Sequence, residues 1–223
     1  MAIRVIDDSK LQDIAVAIQD KDGGGQMTVD EMPTRIAAIP TRDNTTLNSL
    51  IDRSITSIEN DEVTSIGNDA FRDCSNLTSV SLPNATSIGN TAFYKCSNLT
   101  SVSLPNATGI GNSAFRDCSN LTSVSLPNVT IIEGSAFYSC SNLTSVSLPN
   151  ATSIGNTAFY RCSNLSILIL GKRATLLNSN AFSDTNNVII YVQPEDLTWY
   201  STAANWSVLY TAGRVKSIEE LPT

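Results

Sequence analysis

Apolar residues in the middle of this chain recur in a pattern that repeats every 22 residues. Read from Leu77, the sequence is LTSVSLPNATSIGNTAFYKCSN, and near-copies begin at Leu99, Leu121 and Leu143. A constant period of about 20–29 residues is typical of a solenoid, in which each repeat forms one coil and the coils stack. The sequence therefore predicts an elongated core built from equivalent positions of successive coils.

Each coil has two apolar segments separated by a turn. Leu77, Val80 and Leu82 have the Leu-x-x-Val-x-Leu spacing of a short strand, and Pro83 begins the turn that ends it. The second segment has apolar residues at positions 85, 88, 92, 93 and 96. The last four have near-helical spacing, which predicts a short helical turn. We expect an α/β repeat solenoid with one short parallel strand per coil and with Ser and Thr facing solvent.

The repeat weakens at both ends, which divides the chain into three parts. Counting back 22 residues from Leu77 places the first coil at 55–76, and the last coil begins at Leu165 and gains one residue. We expect the solenoid to occupy 46–193 and a C-terminal cap to occupy 194–223, because a solenoid needs a segment that covers its open apolar end. Both tryptophans lie in this last part. They could form a platform for a sugar, but covering the last coil is the favoured interpretation.

Residues 1–45 carry no repeat and are expected to form a helical hairpin. Leu11, Ile14 and Ile18 are spaced for one helix face, three glycines follow, and Thr28-x-x-Glu31 is a capping box before a second helix. The hairpin could cap the first coil, or it could attach the protein to a larger particle or to a second copy of itself. Its sequence resembles the N-terminal segment of many prophage-encoded tail and fibre proteins.

The repeat itself resembles the BspA-like class of leucine-rich repeats over residues 55–193. The resemblance rests on Leu-x-x-Val-x-Leu-Pro followed by Ser-Ile-Gly-Asn-x-Ala-Phe-x-x-Cys-Ser-Asn. It implies a right-handed solenoid with a parallel sheet on one side, used for adhesion or recognition and not for catalysis. The general leucine-rich repeat has Asn three residues after the last strand Leu. This chain has Ala85 there, so no asparagine ladder is expected at that corner.

Composition excludes several classes of function. The formal net charge is −7 and the acidic residues are concentrated before the repeats, so nucleic-acid binding is not expected. The apolar runs are too short for a transmembrane helix, so no membrane insertion is expected. The chain has no histidine and no C-x-x-C pair, so we expect no metal, no cofactor and no catalytic site.

The cysteines recur at the same 22-residue step, at Cys74, Cys96, Cys118, Cys140 and Cys162. Stacked coils place equivalent residues about 4.8 Å apart with parallel side chains. A disulfide needs Cβ atoms about 3.5–4.5 Å apart. The sequence therefore predicts a column of free, buried thiols.

One set of positions departs from the Ser, Thr and Asn that fill most of the repeat's surface. Each repeat has one Phe, such as Phe93, and two surface positions follow it. The first of these positions is Arg or Tyr in every coil from 55 to 164, and the second is often charged. Tyr and Arg are enriched at recognition hot spots, but stacked Arg and Tyr could equally hold the coils in register. The candidate binding residues are Arg72, Tyr94, Lys95, Arg116, Tyr138, Tyr160 and Arg161.

These observations predict a non-enzymatic recognition or adhesion scaffold whose partner is a protein or a surface glycan. The N-terminal resemblance favours a phage or prophage virion component of the tail or fibre type, with possible homo-oligomerisation through residues 1–45. The alternative is a bacterial surface or secreted leucine-rich-repeat adhesin. The N-terminus, MAIRVIDDSK, shows no signal peptide. The expected location is the virion, or else the cell surface or the extracellular space.

Overall fold

The computed structural model describes residues 55–61, 63–185 and 188–222. The predicted hairpin at 1–45, its proposed roles in attachment and oligomerisation, and the start of the solenoid lie outside the described residues. Within them, the chain is a stack of coils whose equivalent strands pair in parallel.

The Leu-x-x-Val-x-Leu segments form the longer strands, as predicted. A first sheet contains β1 (Ser57–Glu59), β3 (Ser79–Ser81), β5 (Ser101–Ser103) and β7 (Ser123–Ser125). A second contains β9 (Ser145–Leu148), β11 (Ile167–Leu170), β13 (Ile189–Val192) and β14 (Val215–Ser217). The register follows the repeat, so that Val80 lies beside Val102. The two sheets separate where the bond from the Thr144 amide to the Thr122 carbonyl lengthens to 3.4 Å.

A second and shorter strand occurs in each coil, where the sequence predicts only one strand per coil. These strands form one six-stranded parallel sheet of β2 (Ser65–Ile66), β4 (Ser87–Ile88), β6 (Gly109–Ile110), β8 (Ile131–Ile132), β10 (Ser153–Ile154) and β12 (Thr175–Leu176). Directly after β6, a Cβ on Gly111 would lie 2.6 Å from the Gly89 carbonyl carbon. The coils therefore approach each other too closely at this point for any side chain.

The segment 91–96 forms turns, so the predicted helical turn is wrong there. Thr91 and Lys95 have φ values of 54° and 58°, and this left-handed conformation interrupts a right-handed helix. Every second amide of the segment donates to the next coil, as the Phe93 amide does to the Ala114 carbonyl at 2.8 Å. The near-helical spacing of apolar residues thus arises from successive turns. A 3-10 helix occurs at this place in the last coil, over Ser179–Phe182.

Phenylalanine side chains form the centre of the core. Neighbouring rings are stacked with centroids 5.2 to 5.5 Å apart and interplanar angles of at most 10°. Each ring is at most 1% exposed. The column consists of Phe71, Phe93, Phe115, Phe137, Phe159 and Phe182. This column confirms the predicted core of equivalent positions stacked from coil to coil.

The cysteines lie beside this column as buried, free thiols, as predicted. The Cys96 thiol donates to the Phe71 carbonyl at 3.0 Å, and the three cysteines that follow repeat the contact at 3.0 or 3.1 Å. Burial raises the pKa of these thiols, that of Cys162 to about 12. A neutral thiol is therefore both a small apolar side chain and a hydrogen-bond donor in this core.

An asparagine ladder is present one residue before the buried Ala85. The side-chain amides of Asn106, Asn128 and Asn150 donate to the proline carbonyl of the preceding coil at 2.8 or 2.9 Å. The sequence predicts no ladder at position 85, because that position is Ala. The ladder exists at the adjacent, solvent-facing position instead.

The C-terminal segment covers the last coil with two short helices, α1 (Leu197–Thr202) and α2 (Trp206–Thr211). Trp206 is fully buried, with its ring centroid 6.1 Å from that of Phe182. Its Nε1 donates to the Ala174 carbonyl at 2.6 Å. Tyr200 packs edge-on against it, with centroids 4.9 Å apart. Trp206 therefore closes the aromatic column, and its indole is not available to stack on a sugar.

Replacing Phe115 with Ala is expected to lower the free energy of unfolding by about 3–5 kcal/mol, because it opens a cavity in the middle of a continuous stack. Urea denaturation measures this change. The exposed Ser103 in β5 provides the control, since Ser103→Ala should change the free energy by less than about 0.5 kcal/mol. A denaturation midpoint that Phe115→Ala leaves unchanged would contradict the stacked core.

Thiol titration without reductant should find five reactive groups in denaturant and none in the native protein at neutral pH. Burial raises the folded-state pKa above the value of 9.0 for an unperturbed thiol. The thiols therefore contribute their full stability below about pH 9, and this contribution is lost as the pH rises through the folded-state pKa. Above about pH 9, the urea concentration at the denaturation midpoint should therefore decrease as the pH rises. The decrease should be less steep in Cys162→Ala. Fewer than five thiols in denaturant would refute the predicted column.

Candidate functional site

The candidate residues form one stripe along the side of the solenoid, which we call the Arg/Tyr stripe: Arg72, Tyr94, Lys95, Arg116, Tyr138, Tyr160 and Arg161. Local backbone geometry directs these side chains outward. Tyr94 follows the buried Phe93 and precedes Lys95, whose positive φ turns the chain back towards the core. All seven residues are exposed or half-buried.

Aromatic and cationic groups in the stripe contact each other from coil to coil. The Arg72 guanidinium carbon lies 5.1 Å from the centroid of the Tyr94 ring. The Arg116 guanidinium lies 4.2 Å from the Tyr138 centroid, and Tyr138 stacks on Tyr160 with centroids 4.9 Å apart. Tyr138 therefore has a neighbour on each side. Its phenol and edge can contact a ligand, whereas its ring faces are already covered.

Two further cations flank this column. The Lys95 ammonium lies 5.3 Å from the Tyr94 centroid, and the Arg161 guanidinium lies 5.4 Å from the Tyr160 centroid. Exposed cation–π contacts contribute about 0.5–1 kcal/mol each. The structure thus brings all seven predicted residues together, and the contacts among them help to hold the coils in register.

Acidic residues pair with the arginines and keep the stripe close to neutral. Asp69 and Asp73 lie within 3.2 and 3.6 Å of Arg72. Asp184 lies 3.5 Å from Arg161. In the described part of the chain, no carboxylate lies within salt-bridge distance of Lys95. The stripe therefore offers a mixture of aromatic, cationic and anionic groups.

A shallow groove of about 620 Å³ runs beside the stripe. Hydroxyl and charged side chains line it: Asp117, Ser119, Ser139, Ser141, Arg161, Ser163 and Asp184. The sequence analysis did not select the serines of this groove, because Ser is frequent throughout the repeat. The 22-residue step does align Ser119, Ser141 and Ser163 in one column.

A second groove of about 610 Å³ lies at the asparagine ladder and is lined by Asn and Thr. Several of its polar groups are already engaged in the fold. The Asn106 amide donates to the Pro83 carbonyl at 2.8 Å, and the Thr108 hydroxyl donates to the Thr86 carbonyl at 3.1 Å. The hydroxyls of Ser119, Ser141 and Ser163 beside the Arg/Tyr stripe make longer bonds of the same kind, at 3.3 to 3.5 Å.

Two further findings concern the described residues as a whole. Between residues 55 and 222, apart from Glu62, Asn186 and Asn187, no three His, Cys, Asp or Glu side chains are grouped so that they could hold a metal ion. The helices in this part of the chain are all too short or too polar to cross a membrane.

Comparison with protein families gives a match over most of the chain. Residues 51–149 and 86–204 match the BspA type leucine rich repeat region, in six copies. No curated protein matches the chain significantly.

Several solved leucine-rich repeat structures are similar. A Bacteroides ovatus protein is 25% identical over 74% of this chain and 46% of its own, with a TM-score of 0.53. The T. pallidum leucine-rich repeat protein is 29% identical over 52% of this chain and 57% of its own, with a TM-score of 0.48. A leucine-rich cell surface protein from Faecalibacterium prausnitzii is 29% identical over 59% of this chain and 43% of its own, with a TM-score of 0.48. The chain spans about half the length of these proteins.

These comparisons confirm the leucine-rich-repeat resemblance of the repeated segment. They do not show the similarity of residues 1–45 to phage tail and fibre proteins. None of the matches described above supports a role in a virion.

Proposed function

The chain belongs to the BspA type of leucine-rich repeat family, and from this premise we propose that it is a non-enzymatic recognition scaffold of a bacterial surface or secreted adhesin. It binds a macromolecule through the Arg/Tyr stripe. The virion alternative is supported only by residues 1–45, which lie outside the described part of the chain.

The observation that carries this proposal is the contrast between the stripe and the rest of the surface. The strands β3, β5 and β7 present Ser at both outward positions, and the adjacent corner presents Asn and Thr. In the middle coils, the large side chains with aromatic and guanidinium groups are concentrated in the stripe. Tyr and Arg are the residue types that most often dominate binding energy at interfaces.

The dimensions of the stripe fit an extended ligand. Its first-position residues, Arg72 to Tyr160, extend over five coils, which corresponds to about 20 Å at about 4.8 Å per step. The groove beside it is open and shallow, unlike the enclosed cavity that a small molecule requires. Because positive and negative groups alternate along the stripe, its net charge is small, and the aromatic contacts should contribute a part of the affinity that does not depend on salt.

The test is a variant in which Tyr94, Tyr138 and Tyr160 are all replaced with Ser, assayed for binding to bacterial and host-cell surface material. Binding should fall at least about tenfold, since several hot-spot side chains are removed together. The matched control replaces Ser101, Ser123 and Ser145 with Ala on the face of the longer strands, and it should bind as the wild type does.

Circular dichroism and urea denaturation establish that both variants are folded. If the Tyr variant folds and still binds with wild-type affinity, the stripe is only a scaffold feature. If the Ser variant loses binding instead, the ligand lies on the strand face.

A further inference from the structure

Arg116 differs from Arg72 in its ionic partners, although both residues occupy the same position of the repeat. The Nη1 atom of Arg72 lies 3.2 Å from Asp69, and its Nε lies 3.6 Å from Asp73. Arg116 keeps only the second contact, with its Nε 3.6 Å from Asp117. The difference has a cause in the sequence. The residue that occupies the position of Asp69 two coils later is Ser113, which has no carboxylate.

The loss of this carboxylate leaves Arg116 without the hydrogen bond that Nη1 of Arg72 donates to Asp69 at 3.2 Å. Its Nε atom is buried and has no hydrogen-bond partner, and neither Nη donates a hydrogen bond within the described residues. The Ser113 hydroxyl does not compensate, since it donates to the Asn112 side chain at 3.0 Å. Asp117 lies on the Nε side of the guanidinium, so the Nη donors of Arg116 remain available to an anionic partner.

The side chain of Arg116 is nevertheless accessible and held in place. It is 36% exposed, and the contact with Tyr138 fixes the plane of its guanidinium. A guanidinium presents two parallel donors that match the two oxygens of a carboxylate. Lys95, on the neighbouring coil, adds a positive charge, and no carboxylate in the described part of the chain lies within salt-bridge distance of it.

The surroundings of Arg116 fit a sugar better than a protein. The groove begins at Asp117, the next residue, and continues over the hydroxyls of Ser119, Ser139 and Ser141. Protein interfaces have an apolar core that loses its water on binding. Among the described residues, the exposed large apolar side chains are Ile131, Leu177, Val208 and Tyr210, and none of them lines the groove.

We propose that Arg116 and the adjoining groove bind an acidic polysaccharide. The carboxylate of a uronic acid residue binds the Arg116 guanidinium, and the following sugars lie along the serines of the groove. This assignment rests on the proposed function and specifies its ligand class.

The test uses fluorescently labelled polygalacturonate fragments and the whole protein in a binding titration. The same polymer with its carboxylates methyl-esterified is the matched ligand control, since it keeps the sugars and removes the charge. Wild-type protein should bind the acidic polymer at least about tenfold more tightly, because only the carboxylate pairs with Arg116.

Two variants alter the Arg116 site, and one control variant leaves it intact. Arg116→Gln should weaken binding of the acidic polymer at least about tenfold. Ser113→Asp should do the same while Arg116 remains, because the new carboxylate pairs with Arg116 as Asp69 does with Arg72. The backbone accepts Asp at this position, since Asp69 and Ser113 have φ values of 56° and 55°. Arg173→Gln should change the affinity by less than about twofold, because Arg173 lies outside the stripe and its Nε pairs with Asp196 at 2.6 Å.

The possible failures are distinguishable. Equal affinity for the acidic and esterified polymers, or an equal effect of Arg116→Gln and Arg173→Gln, would overturn the carboxylate site. Binding of neither polymer, or Arg116-dependent binding of polyglutamate in preference to polygalacturonate, would overturn the polysaccharide assignment. Neither result bears on the proposed function, which fails only if the triple Tyr variant still binds surface material normally.

Discussion

In-register hydrogen bonding between successive coils is the constraint on which the rest of this structure depends. The Phe93 amide bonds the Ala114 carbonyl, and the Thr108 amide bonds the Thr86 carbonyl, both at 2.8 Å. Each residue therefore lies over its counterpart 22 positions away. This register gathers six Phe rings into one stack and leaves room between Gly89 and Gly111 only for backbone. A single coil could not bury these side chains alone.

The same register turns the surface into parallel columns, in which a change in one coil alters one point of a column. Replacing Asp by Ser between positions 69 and 113 removes the second carboxylate partner of an arginine without disturbing the core. The structural and recognition interpretations of the Arg/Tyr stripe are compatible. Tyr138 is held between Arg116 and Tyr160, and this packing orients the guanidinium that we propose as a ligand site.

The sequence predicts those features that repeat, and it fails on those that depend on backbone conformation or on unrepeated neighbours. The Phe and Cys columns follow from spacing alone. The strand Ser87–Ile88 buries one side chain, which is too little to produce a periodic signal. The turn at 91–96 has helical spacing, but its left-handed Thr91 and Lys95 cannot be recognised from residue type. The sequence also identifies Arg116 as a candidate, whereas its lack of hydrogen bonds becomes visible only when Ser113 and Asp117 are placed around it.

Deletion of one complete coil tests the central role of the register most directly. Removing residues 99–120 joins Asn98 to Leu121 and restores the same local sequence at the junction. We expect this variant to fold cooperatively, with a urea m-value reduced in proportion to the surface of the lost coil. Removing only residues 99–109 shifts the register by half a coil and should abolish cooperative unfolding. A half-coil deletion as stable as the full-coil deletion would contradict the account.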